Sequence, residues 1–301
     1  GSISRVSREA PVFILRHELT ETVPGGAANC ALNLAALGAN VSLISVAGKD
    51  EAGNALREKL SAAGVNVAGL VLSEKIQTTT KVRILAGHAH ANKQQVIRVD
   101  YEDAPLNDTS LRELMRERLQ NALDIADAVI LSDYNYGVVD QQAIELVREA
   151  RRAKNLPVLV DSRFRLSDFS GFTAATPNED EVEHLVGSPS ESLVQLQMAA
   201  SRLRQQLQLD ALLVTRGRNG MMLVTEDPLP LQIPAVGAQA VDGTGAGDTV
   251  IATFALALAS DSSFAEAAHL ANYAGGLVVM KRGTASISAA ELEQSINDLK
   301  S

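Results

Sequence analysis

From Val41 onward the sequence alternates short apolar runs rich in β-branched residues with longer stretches whose apolar residues recur at helical spacing. The short runs include "DAVILSD", "PVLVDS" and "ALLVTRG". Between the first two, "QQAIELVREARRAKN" places Ile144, Val147 and Ala150 along one helix face. "SLVQLQMAASRLRQQLQL" has the same spacing ahead of the third. "VSLISVAG" (41–48) reads as a buried strand and "EAGNALREKLSAAG" as a helix stopped by Gly64. Strands that are apolar throughout need cover on both faces, and strands separated by helices run parallel. The pattern predicts an α/β chain with a mostly parallel central sheet and helices on both faces.

Two stretches break the rhythm. "APVFILRHELTETV" (10–23) and "TTTKVRILAGHAHANKQQVIRVDYED" (78–103) alternate polar and apolar residues. The second reads as a hairpin with its loop near Gly87 to Lys93. Strands inserted between the units of a parallel core form a small β lid, expected over about 8–20 and 78–101, and a lid over a cleft excludes water.

Composition narrows the function. The 301 residues, enough for one large domain or two small ones, carry 46% hydrophobic and 21% charged residues, which suits a globular chain, read as a single domain, 1–301. The net charge is -9 and no basic stripe is present, so nucleic acid is not an expected partner. The longest apolar stretch, around Val250 to Ala259, is too short to span a bilayer, so no membrane association is expected. A single cysteine, Cys30, excludes an internal disulfide and suits a reducing cytoplasm. Cys30 has no neighbouring His and reads as a packing residue. His88 and His90 read as a solvated loop without a third metal ligand.

The chemistry concentrates in "VDGTGAGDTV", 241–250, which precedes the apolar helix "IATFALALA". Glycines let the backbone approach a ligand closely, and a helix N-terminus offers unpaired N–H groups to an anion. Asp248 at that helix start is placed to take a proton from a hydroxyl attacking the anion, the arrangement of phosphoryl transfer. The plainer reading is a glycine turn with an ordinary helix start. A second stretch, "PGGAANCALNLAALGA", opens a helix at Gly25 and Gly26, with Asn29 in its first turn facing a ligand or acting as a local cap.

Together these stretches resemble the ribokinase, or phosphofructokinase-B, family of carbohydrate kinases. The Gly-Gly…Asn helix start and Asp-x-x-Gly-Ala-Gly-Asp appear in the family's order. "TPNEDE" is similar to its Asn-x-x-Glu element at Asn178 and Glu181, "VTRGRNG" to its strand and turn around Thr215, Gly217 and Gly220, and "NYAGGLVVMKRGTAS" to its closing helix and turn. The resemblance covers about Ser4 to Ser288. It implies a ribokinase-like three-layer α/β/α sandwich and an ATP-dependent sugar kinase, with Asp248 as general base and Gly245, Ala246 and Gly247 as the anion hole. It implies magnesium organised by Asn178 and Glu181 through water, with nucleotide near Thr215, Gly217, Gly220 and Asn272. Asp242, Thr244, Gly283 and Ser286 match positions where members bind a monovalent cation such as potassium.

Within the family, "SRVSREAPV", "TTTKVRIL", "QQVIRVDYE" and "LSDYNYG" are closest to the kinase domain of ADP-heptose synthesis enzymes, which supply a lipopolysaccharide precursor by phosphorylating the anomeric hydroxyl of a heptose 7-phosphate. On that resemblance the acceptor lies among Gly25, Gly26, Asn29, Arg83, Arg98, Asp100 and Asp133, with Arg83 and Arg98 either reading its phosphate or standing as solvated lid charges. The chain has Tyr136 where those kinases usually have Lys, and Asp161-Ser162-Arg163 where they have Asp-Pro-Lys. The family normally begins some thirty residues earlier with a core strand, so that strand is expected to be missing, as is the nucleotidyltransferase domain that often follows. The alternatives are a kinase for another sugar, sugar phosphate or nucleoside, and a non-catalytic sugar- or nucleotide-binding homologue. Lid strands with one polar and one apolar face suggest a homodimer.

Overall fold

The computed structural model describes residues 2–6, 13–87, 93–237 and 241–298; His88 and His90 lie outside them. In chain order the elements are β1 (Ser2–Val6), β2 (Phe13–Arg16), α1 (Ala27–Ala36), β3 (Ser45–Gly48), α2 (Glu51–Ala62), β4 (Leu70–Ser73), β5 (Thr80–Ala86) and β6 (Gln94–Tyr101). There follow α3 (Thr109–Leu123), β7 (Val129–Asp133), α4 (Gln141–Lys154), β8 (Val158–Ser162), β9 (Ala174–Ala175), α5 (Glu179–Val186) and α6 (Leu193–Gln206). The last are β10 (Ala211–Thr215), β11 (Met221–Val224), β12 (Leu231–Ile233), α7 (Ala246–Ala259), α8 (Phe264–Val278) and α9 (Ala289–Asp298).

The central sheet has the order β12-β11-β10-β9-β8-β7, with β7 to β10 parallel and β11 and β12 antiparallel. Alternate residues of its strands feed two cores. Val158, Val160, Leu212, Val214 and Met222 pack with Ile144 and Val147 of α4 and with α6. Leu159, Ala174, Leu213 and Met221 pack with Ile251 and Phe254 of α7 and with α8. Side chains two apart share a face, so each strand must be apolar on both sides. Helix α7 is apolar nearly all round and buried between α1, α8 and the sheet.

Strands β3 and β4 pair in parallel with each other and stand apart from the six-stranded sheet. Residues of β7 and of β3 line one cavity of about 2400 Å³, whose apolar part includes Leu34, Leu43, Ile130 and Leu256. The stretch 41–48 is therefore not one buried strand. Only Ser45–Gly48 is a strand, while Ser42 makes a single bridge to Asn66. Likewise the described part of 10–23 yields only β2, which pairs antiparallel with β1, a strand the sequence pattern did not predict.

The hairpin is present as β5 and β6, which put Val82 opposite Val99, Arg83 opposite Arg98 and Lys81 opposite Asp100. One face is thus apolar, the other charged and lining the cavity. Among the described residues, no helix is long and apolar enough to cross a membrane.

Candidate active site

Helix α7 begins at Gly245, whose φ of 79° is the left-handed conformation that glycine adopts without strain. A side chain there would begin 2.6 Å from Asn29 Nδ2, so glycine leaves the room that the Asn29 side chain fills. Asp248, in the first turn, is 6% exposed. Its Oδ2 accepts from Asn29 Nδ2 at 2.8 Å, and its Oδ1 accepts from the Tyr134 hydroxyl at 3.2 Å. Burial raises its carboxyl to about 6, partly offset by those two donors. A carboxylate with that affinity is ionised at neutral pH yet basic enough to take a proton.

Asn29 is itself locked. Asn33 Nδ2 donates to the Asn29 carbonyl at 2.9 Å, and Thr249 Oγ1 donates to Asn33 Oδ1 at 2.9 Å. These buried bonds tie α1 to α7. Asn29, expected to face a ligand or to cap the helix locally, is 2% exposed and its amide is engaged with Asp248. The anion hole needs correcting at Ala246, whose N–H donates to Gly243 O at 3.2 Å. The N–H groups of Gly245 and Gly247 have no acceptor among the described residues and are available to an anion.

Gly25 and Gly26 line the cleft beneath Tyr134, whose ring would meet a side chain at Gly26 at 3.0 Å. Asp133, read as acceptor-binding, is 3% exposed. It accepts from Ser162 Oγ at 2.9 Å and from the Asn135 N–H at 3.1 Å, and Arg165 Nε lies 3.3 Å away. These contacts join the ends of β7 and β8. The Asp161 side chain makes no hydrogen bond among the described residues. Burial, then the charges of Asp248, Glu181 and Asp133, push its carboxyl to about 7, with Arg163 opposing. Cys30 is buried and its thiol is pushed well up by burial, consistent with packing.

On the lid, Arg98 gives Asp100 a bidentate pair with both distances 2.8 Å, which holds the Asp100 carboxyl low. Arg98 is thus largely engaged already. Arg83, directly opposite, has no side-chain hydrogen bond among the described residues, and its charge helps lower the Asp242 carboxyl. Tyr136 Oη donates to Glu102 at 2.6 Å and lies 3.3 Å from Lys81 Nζ. Lys81 therefore supplies positive charge at the corner where Tyr136 replaces the usual Lys.

The residues read as nucleotide- and magnesium-binding lie outside the cavity. Asn178 and Glu181 form a reciprocal capping box on α5, with both bonds 2.9 Å. Asn178 also bridges Thr215, which brings that pair together. Glu181 keeps one carboxylate oxygen outside the box, a donor that fits a metal held through water. Among the described residues no group of three or more His, Cys, Asp or Glu side chains converges on a metal. Gly217 faces open space, whereas Gly220 is required by packing, since a side chain there would start 2.0 Å from Ile233 O. Asn272, the remaining nucleotide candidate, is 4% exposed and donates to Pro234 O at 2.8 Å.

Of the four monovalent-cation candidates, Asp242, Thr244 and Gly283 meet at one loop junction. Asp242 accepts from the N–H groups of Thr244 and Gly283, both at 2.9 Å, and these hold its carboxyl low. The Ser286 carbonyl accepts from Lys281 Nζ at 2.8 Å. With those atoms engaged, the junction is a clamp between two loops, and a cation there would have to compete with the N–H groups for Asp242.

The model of the pfkB family carbohydrate kinases matches residues 4–291. The chain belongs to the pfkB carbohydrate kinases. Like other pfkB kinases, it is an enzyme of the ATP-using type. It is 41% identical over 297 residues to the bifunctional protein HldE of Pseudomonas paraeruginosa, covering 98% of this chain and 60% of that protein. It is 42% identical over 301 residues to the HldE of Hahella chejuensis, with the same coverage. The chain thus spans 60% of the length of these relatives. Its fold matches Escherichia coli phosphofructokinase-2 in complex with fructose-6-phosphate, with a TM-score of 0.76 at 20% identity, covering 100% of this chain and 94% of that one. It also matches Arabidopsis thaliana ribokinase complexed with ribose and ATP, with a TM-score of 0.70 at 22% identity, covering 89% and 86%. These structures establish the ribokinase-like α/β/α fold.

For a pfkB kinase the most informative residues that the sequence left unassigned are Tyr134, Asn33 and Thr249. Tyr134 follows Asp133 directly in "LSDYNYG", and Asn33 sits one turn after Asn29. That i, i+4 spacing was the available signal.

Proposed function

We propose that this kinase transfers the γ-phosphoryl group of ATP to the anomeric hydroxyl of a heptose 7-phosphate, with Asp248 as general base. The observation that carries the reading is the buried Asp248 carboxylate, held by Asn29 and Tyr134 at the start of α7 beside the free N–H groups of Gly245 and Gly247. Those amides would stabilise charge on the transferred group while Asp248 takes the acceptor proton. Thr284 Oγ1, buried without a partner and close to Gly245, supports a ligand at this point. Magnesium, held through water near Glu181, would neutralise phosphate charge when bound.

A phosphorylated acceptor is supported by the lid. Two arginines opposite each other on a hairpin repel, and an anion between them relieves the repulsion. Heptose 7-phosphate is supported by the sequence similarity to the kinase domain of ADP-heptose synthesis enzymes. The exposed apolar lid face, Val82, Ile97, Val99 and Tyr101, supports a homodimer through the lid. The reading takes the chain as one kinase domain.

An acceptor screen tests the reading. Turnover of ATP should be fastest with heptose 7-phosphate, slower with fructose phosphates, and slowest with ribose or adenosine. Preference for ribose or adenosine would make it a kinase of neutral acceptors. Absence of turnover with every acceptor would favour a binding protein.

A further inference from the structure

The two oxygens of Asp248 are held differently. Oδ2 is fixed by Asn29, which Asn33 and Thr249 lock from behind within the buried α1–α7 contact. Oδ1 is held by the Tyr134 hydroxyl at a longer 3.2 Å. Tyr134 lies on the connection that leaves β7, where Asn135 and Gly137 both take positive φ, and its side chain lines the cleft. Its ring rests over Gly26, the residue that precedes α1, where a side chain would meet the ring at 3.0 Å. A hydroxyl that approaches from the cleft and donates to Asp248 thus meets Oδ1, because Oδ2 faces the helix junction.

We propose that Tyr134 is a positioning residue for the phosphoryl transfer, whose hydroxyl keeps Asp248 Oδ1 turned toward the cleft and occupies the place the acceptor hydroxyl takes. This rests on the reading of Asp248 as the base. In the transfer the acceptor oxygen bonds to the γ-phosphorus, the bond from that phosphorus to the ADP oxygen breaks, and the acceptor proton passes to Asp248 Oδ1. Tyr134 donates to the ionised carboxylate, so it favours the form that can accept that proton. Its own hydroxyl stays protonated, since burial and then the Asp248 charge push its ionisation up.

Besides Tyr134, the titratable groups that feel the Asp248 charge are Cys30 on α1 and Asp161 at the end of β8, and Asp161 in turn feels Glu181 on α5, Asp133 at the end of β7 and Arg163. All are retained in Tyr134→Phe, which also keeps the ring over Gly26. The test is a carboxyl ¹³C NMR titration of the unliganded protein, with the Asp248 signal assigned by its loss in Asp248→Asn. Tyr134→Phe should raise the Asp248 midpoint by about one pH unit. With ATP and heptose 7-phosphate, kcat/KM should then fall about fivefold at pH 6 and hardly at pH 8. An unchanged midpoint, or a loss of equal size at both pH values, overturns the role of Tyr134. If Asp248→Asn abolishes turnover while Tyr134→Phe leaves the midpoint in place, the base stands and the positioning inference falls. If Asp248→Asn turns over normally, the base reading itself falls.

Discussion

Asn29 Nδ2 donates to Asp248 Oδ2 at 2.8 Å, joining residues 219 positions apart in the chain. With Asp248 as the proposed base, the contact ties the α1–α7 junction to the proton transfer. A donor to a buried carboxylate contributes on the order of 1.5–3 kcal/mol. Asn29→Ala should slow turnover by roughly 10–100-fold. It should also move the acidic limb of the pH–rate profile upward, since the carboxylate loses a donor that favours its ionised form. Steady-state rates between pH 5 and 9 would show this, and an unshifted profile would reduce Asn29 to helix packing.

The same burial has a consequence for stability. The Asp248 carboxyl is raised from 3.8 to about 6 in the folded chain. A carboxyl raised on folding stabilises the fold when protonated, below its unfolded value, and that contribution is lost as pH rises through about 6. Asp248→Asn removes the buried charge, so it should raise the unfolding temperature at pH 8 and change it little at pH 4. The gain at pH 8 corresponds to at most about 3 kcal/mol. Equal shifts at both pH values would show that ionisation is not the cause.

Gly220 and Gly217 sit in one turn yet should respond differently to alanine. Gly220 has φ 81° and its side chain would start 2.0 Å from Ile233 O, whereas Gly217 faces open space. Gly220→Ala should cost about 3 kcal/mol or more in denaturant unfolding, and Gly217→Ala about 1 kcal/mol. Similar costs would mean that the approach to Ile233 is easily relaxed.

Lid variants separate the two arginines. Arg83→Ala should raise the KM for heptose 7-phosphate by roughly 10–100-fold and leave the KM for ATP nearly unchanged. Arg98→Ala should do less, because Asp100 already holds that guanidinium. A neutral sugar should be affected little by either. Equal effects on neutral and phosphorylated acceptors would assign the pair to lid structure.

The layered core was legible because its signals are local. In "ALLVT" every residue must be apolar when alternate side chains feed two cores, and the helices between strands carry their own period. The run 41–48 misled because its Val41 and Leu43 are apolar without pairing as a strand. At the site, the glycine loop and Asp248 were legible from spacing alone. The partners of Asp248 were not, since nothing near Asn29 or Tyr134 reveals what folds against them. Asn178 and Glu181 show a different limit. An Asn and a Glu three apart can serve a ligand or cap a helix, and only their reciprocal bonds show that they cap α5.

The central claim, that Asp248 takes the acceptor proton, is tested most directly by the turnover of Asp248→Asn with ATP and heptose 7-phosphate. Nucleotide affinity is measured alongside by equilibrium binding. An asparagine keeps the shape of the side chain but accepts no proton at neutral pH. Turnover should fall by ~10²–10⁴ while nucleotide affinity stays within about twofold. Turnover close to that of the unaltered chain would contradict the account.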